Sequence, residues 1–67
     1  MTPAEFLAAR TGLGLTQGAL ATVIGVGRRT VQSWEAEDRE IPEPVARLLR
    51  AAVAHPEVLE WITAGRS

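Results

Sequence analysis

Between Thr16 and Glu35 the chain reads Thr-Gln-Gly-Ala-Leu-Ala-Thr-Val-Ile-Gly-Val-Gly-Arg-Arg-Thr-Val-Gln-Ser-Trp-Glu, which spells two short helices joined by a tight turn. Thr16 is a good N-cap, and Leu20, Ala21 and Ile24 fall on one helical face. Gly25 stands where a chain leaving a helix commonly turns left-handed, so the first of the two helices stops near Ile24. Val26 gives the turn an apolar residue to bury, and Gly27 is a tolerable N-cap. Val31 and Trp34 then form an i, i+3 stripe able to face Leu20 and Ile24. Arg28 and Arg29 are left at the exposed start of the second helix. Cations there oppose the helix dipole by about 0.3–1 kcal/mol each, so two in succession point to a use.

The rest of the chain reads as a small body built around that stretch. Sixty-seven residues allow one domain, spanning 1–67. A chain this short buries only about 60% of the surface its unfolded form exposes. It has no cysteine, so neither a disulfide nor a thiolate metal site is possible. No apolar run approaches the roughly 20 residues of a membrane span, and no basic-then-apolar leader opens the sequence. A cytoplasmic protein without membrane contact is the expectation. The net charge of −1 argues against a nucleic-acid partner, which draws on Lys and Arg to neutralise phosphate. Distribution qualifies the sum: Arg28 and Arg29 are adjacent, whereas Glu37, Asp38, Glu40 and Glu43 crowd the segment that follows.

Thr2-Pro3-Ala4-Glu5 combines an N-cap, a proline at the first helical position and the glutamate of a capping box, so helix one should run from Pro3 to about Thr11. It offers Phe6 and Leu7 to the core, and Gly12 ends it. Leu13 and Leu15 roof the following loop. After Trp34-Glu35 the polar run Ala-Glu-Asp-Arg-Glu makes a loop from about Glu37 to Ile41. A fourth helix starts at Pro42 or Pro44, reaches about His55, and carries Val45, Leu48, Leu49, Ala52 and Val53 at helical spacing. A fifth helix, 56–64, bears Val58, Leu59, Trp61 and Ile62, with Gly65 as its terminator. The expected fold is all-α, five short helices, with a core of Phe6, Leu15, Leu20, Ala21, Ile24, Val26, Val31, Trp34, Val45, Leu48 and Leu49.

The 16–36 segment has the geometry of a helix-turn-helix, whose second helix enters the DNA major groove with its N-terminal residues against base edges. Leu-Thr-Gln-x-x-Leu-Ala, then Gly-Val, then Arg-Thr-Val-x-x-Trp-Glu resembles the lambda-repressor-like (Cro-like, XRE-type) helix-turn-helix family of phage and bacterial regulators, from roughly Glu5 to Leu49. The resemblance implies that Arg28, Arg29, Gln32 and Ser33 face the groove; arginine suits guanine and glutamine suits adenine. It implies phosphate contact by Gln17; Thr16 and Gly27 are further candidates for phosphate contact, as is Arg39, alone among acids in its loop, for which surface pairing to Glu37 or Glu40 competes. It further implies that Arg10 and Glu35 meet as a partly buried ion pair. Family members often carry glycine where this chain has Glu37, so the reading helix should be longer there or capped differently.

These residues support sequence-specific binding of a double-stranded DNA operator by a homodimer, a transcriptional repressor or autoregulator of phage or bacterial type. Val58, Trp61 and Ile62 on one side of the last helix are the expected dimer face, against an alternative in which Trp61 lids Leu49 and Val53. Other readings are an antitoxin that masks a toxin and binds its own operator, and a descendant of the same fold that binds only protein. Neither catalytic nor metal residues nor a cofactor are expected: the single His55 has no cluster of carboxylates around it.

Overall fold

The structure, a computed structural model, describes the backbone of residues 1–64 and the side chains of residues 1–61. Its helices follow the order α1 Pro3–Gly12, α2 Gln17–Ile24, α3 Arg28–Glu35, α4 Glu43–Ala54 and α5 Glu57–Ala64. The Ile62 side chain and Gly65, assigned above to a dimer face and to a helix end, lie outside the described residues.

Local chemistry sets each start. At α1 the Thr2 hydroxyl accepts from the Glu5 N–H at 3.1 Å while the Glu5 carboxylate accepts from the Thr2 N–H at 2.9 Å. The Thr2 backbone bond, then the Thr2 hydroxyl, holds the Glu5 carboxyl below the usual carboxylate range. At α2 the Thr16 hydroxyl accepts from the Ala19 N–H at 3.0 Å. Gly27 caps α3 and Pro42 caps α4 without a side-chain bond.

Helix ends differ from expectation in an informative way. Gly12 does not terminate α1; it is the last helical residue, Leu13 is the C-cap, and Gly14 takes the left-handed conformation at φ 73°. The reason is the pair of closing bonds, Gly14 N–H to Thr11 O at 3.0 Å and Leu15 N–H to Arg10 O at 3.1 Å. Together they make a Schellman turn, which needs a left-handed residue two places after the final helical one. At the end of α3 the Asp38 N–H reaches Ser33 O at 2.9 Å in the matching way, but the left-handed residue is Glu37 at φ 65°. Helix α3 is not lengthened by the missing glycine. It keeps the turn and places a β-carbon in a strained region.

The core forms where α1, α3 and α4 meet and where α2 packs on α3. Phe6, Leu20, Val31 and Leu49 are fully buried, with Ala21, Trp34, Ile41, Ala46 and Ala52 beside them. Phe6 meets Trp34 edge to face, with ring centres 5.7 Å apart at 70°. Leu13, Leu15, Ile24, Val26 and Val45 are half-buried against this cluster. Two expectations fail here: Leu7 and Val53 are exposed, at 43% and 54%. Ile41 and Ala46 take buried positions that the sequence pattern had left out. The buried face of α4 is centred on Ala46, Leu49 and Ala52, because α4 lies against α1 and small side chains permit the approach; selecting by bulk rotates the stripe toward Leu48, which is only half-buried, and Val53.

The left-handed Glu37 generates a direct test. Replacing it with glycine removes the β-carbon strain and adds some unfolded-state entropy, for a net gain of about 0.5–1 kcal/mol. Urea melts should show Glu37→Gly with a higher midpoint than wild type, and Glu37→Ala, which keeps the β-carbon, without that gain.

Candidate nucleic-acid interface

One face of α3 is committed to the core by Val31 and Trp34, which leaves Arg28, Arg29 and Gln32 exposed and Ser33 half-buried. Helical geometry pairs Arg28 with Gln32 and Arg29 with Ser33 as adjacent i, i+4 stripes. The Arg28–Gln32 stripe is the one bordering α2. Gly18 lies under Arg28: a β-carbon there would sit 3.7 Å from Arg28 Cδ, so the arginine stem runs back across the first turn of α2. Thr16 and Gly27, the caps of α2 and α3, are both exposed at the ends of the same surface.

Behind it lies a connected set of polar side chains. Arg10 Nε donates to Glu35 Oε2 at 2.6 Å and Arg10 Nη2 to Glu35 Oε1 at 3.2 Å, while Arg10 Nη1 donates to the Leu15 carbonyl at 2.9 Å. Their side chains are only 13% and 12% exposed. Gln17 Nε2 donates to Glu35 Oε1 at 3.1 Å, and Gln32 Nε2 donates to Gln17 Oε1 at 3.3 Å. One carboxylate thus ties α1, the α1–α2 loop, the start of α2 and the exposed face of α3. The engagement of Gln17 is what sequence reasoning missed. Its signal was available in counting: a carboxylate offers about four acceptor positions, and one forked arginine fills two.

The charges divide unevenly. Arg47 and Arg50 both reach Glu43, at 3.4 and 3.5 Å, and Arg10 is held by Glu35. Among the described residues Arg28, Arg29 and Arg39 have no ion-pair partner. All three lie on α3 or the loop after it. Arg39 borders a shallow depression with Glu37 and Glu40 without pairing to either. On the last helix Val58 and Leu59 are half-buried and Trp61 is 85% exposed, so Trp61 does not lid Leu49 and Val53. Among the described residues no cluster of His, Asp and Glu is placed to hold a metal, and no helix is long and apolar enough to cross a membrane.

A sequence model of the helix-turn-helix family matches residues 7–52, which takes in most of α1, all of α2 and α3, and α4 to Ala52. Helix α5 lies outside the matched segment. No curated protein matches the chain.

The near-buried ion pair has a testable energetic signature. Removing one partner strands the other charge, so Arg10→Met should cost about 3–5 kcal/mol, whereas an exposed pair is worth about 0–1 kcal/mol. Thermal melts in a Glu37→Gly background should place Arg10→Met/Glu35→Met above Arg10→Met alone, since the double variant leaves no orphaned charge. Additive losses would assign the two residues independent roles.

Proposed function

The chain belongs to the XRE, or lambda-repressor-like, helix-turn-helix family, and from that premise we propose that it is a homodimeric repressor or autoregulator of phage or bacterial type acting on an inverted-repeat operator. DNA-binding transcriptional regulation is the family's role. The observation that supports the finer reading is the distribution of unpaired arginines: among the described residues Arg10, Arg47 and Arg50 are paired within the body, while Arg28, Arg29 and Arg39, on α3 and its following loop, are not. A domain of net charge −1 then meets DNA through a small positive face, with modest non-specific affinity and strong reliance on base contacts.

In this reading Arg28, Arg29, Gln32 and Ser33 lie against base edges. The α2 and α3 starts, at Thr16, Gln17 and Gly27, approach phosphates with their main-chain N–H groups, and Arg39 adds a flanking phosphate contact. Repression follows from occupying a site that overlaps a promoter and needs no cofactor. Arg29 is exposed and makes no ion pair with a described residue, so Arg29→Ala should cost about 1–3 kcal/mol of specific binding and relax the preference at one base pair. Arg47→Ala, on the far helix and paired to Glu43, should leave binding unchanged. Titrations of folded variants at fixed salt decide this, and full discrimination by Arg29→Ala would remove Arg29 from the reading set.

Two copies would double the phosphate contacts of so weakly basic a domain. A twofold dimer would set its two α3 helices about 34 Å apart, one DNA turn, on half-sites centred about 10 base pairs apart. The exposed Trp61, with Val58 and Ile62, is the proposed twofold contact, since such interfaces are enriched in Trp. Light scattering at micromolar concentration should give a dimer for wild type and a monomer for Trp61→Ala. A wild type that is monomeric and protects one asymmetric site would overturn the dimer and favour the antitoxin reading, in which Trp61 meets a different protein.

A further inference from the structure

Between α1 and the end of α4 the surface opens into a groove of about 480 Å³, within the range of about 300–1,000 Å³ usual for sites that take up an apolar group. Ala8, Ala9 and Gly12 line it from α1, and Val53 and Pro56 from the opposite side. Alanine and glycine bring no bulk to fill the space, so Val53 stays 54% exposed. At Gly12 an added β-carbon would meet no neighbouring element within 4 Å. Arg50 stands at the rim with Glu5, whose carboxylate is taken by the Thr2 N–H.

The same chain carries a side chain that fits this groove and that its own fold leaves uncovered. Trp61 is 85% exposed. Helix α5 departs from the groove at Pro56 and packs on α4 and α2, which carries the indole away from the groove of its own copy. The charges around the two parts are complementary. Arg50 shares the Glu43 carboxylate with Arg47, at 3.5 and 3.4 Å, so two cations draw on one acid there. Glu60, next to Trp61, is exposed and has no ion pair among the described residues. We propose that two copies of the chain exchange these parts: Trp61 of each enters the α1–α4 groove of the other, with Glu60 against the other copy's Arg50. A twofold contact is reciprocal, so one placement covers both indoles and both grooves. Stacking Trp61 on its own symmetry mate would leave both grooves open. The proposal rests on the dimer reading above and names the surface that receives Trp61. Two exchanged indoles and their grooves bury on the order of 600–1,000 Å² in total, at the small end of specific interfaces, which makes a dimer that dissociates on dilution.

Glutamine at positions 8 and 12 fills the groove with neutral side chains that favour a helix, and Gly12 is the last helical residue of α1. Light scattering over a concentration series without DNA compares wild type, Trp61→Ala and Ala8→Gln/Gly12→Gln, with Gly12→Gln alone as the milder variant should the double one melt early. Both Trp61→Ala and the filled groove should weaken dimerisation by about tenfold or more, as losing a buried aromatic anchor does. Mixing the two variants then separates exchange from a symmetric contact. Each alone has lost both contacts, whereas a mixed pair keeps one, the Trp61 of the filled copy in the open groove of the other. Heterodimers should therefore form with a dissociation constant between that of wild type and that of either variant. A wild type that is dimeric and a filled groove that changes nothing overturn the exchange and leave the dimer standing. Two weakened variants that fail to complement each other overturn it as well. A monomeric wild type overturns the dimer reading itself, and the exchange with it.

Discussion

Glu35 accepts from Arg10 on one side and from Gln17 on the other while sitting only 12% exposed at the last position of α3. Two short helices packed face to face can slide and rotate against each other at little cost, and a domain this small has few contacts with which to prevent it. A forked charge pair resists both motions because it has one good geometry. The Phe6–Trp34 contact lies on the same two helices, so the apolar and polar contacts constrain α3 together. Desolvating two charges costs free energy that an apolar pair would not. What the polar pair supplies is direction: it also takes the Leu15 carbonyl and orients the Gln17 amide, neither of which a hydrophobic side chain could do.

Electrostatics outside that pair follow an economy of subtraction. Glu43 holds both Arg47 and Arg50 on α4, so among the described residues the unpaired arginines lie on one side, even though acids outnumber arginines eight to seven in the chain. Glu37, Asp38 and Glu40 lie exposed next to that side. Acids there repel phosphate and would lower affinity for any duplex alike, so discrimination between sites would rest on base contacts.

Much of this was legible before any coordinates. The Thr2 and Thr16 caps, the left-handed Gly25 and the apolar stripe of α3 are written in neighbouring residues, and local rules read neighbouring residues well. The errors came where a distant partner decides. Gly12 and Gly14 are equally permissive glycines, and only the closing bonds from Gly14 and Leu15 select between them. Glu37 has no propensity for a left-handed turn, yet the Asp38-to-Ser33 bond imposes one. Ala46 is too small for a hydrophobic pattern to favour, and its burial depends on how closely α4 approaches α1. In the sequence alone Gln17 has a phosphate contact and no internal partner, because Glu35, eighteen positions away, is matched to Arg10 alone. Of the site, the exposed reading face was visible as a pattern; the relay behind it required the fold.

Helix α5 stands apart from this organisation. Among the described residues every buried side chain lies between Phe6 and Ala52, and the family match covers residues 7–52. The buried cluster of the described residues is thus built without α5, which packs on α4 and α2. An element that the core does not need can change its outer face without unfolding the domain, whereas a substitution at Val31 or Leu49 cannot escape a packing cost. On the proposed reading, base choice would rest on α3, which Glu35 ties to α1 from behind, and partner choice on α5, where Trp61 is exposed.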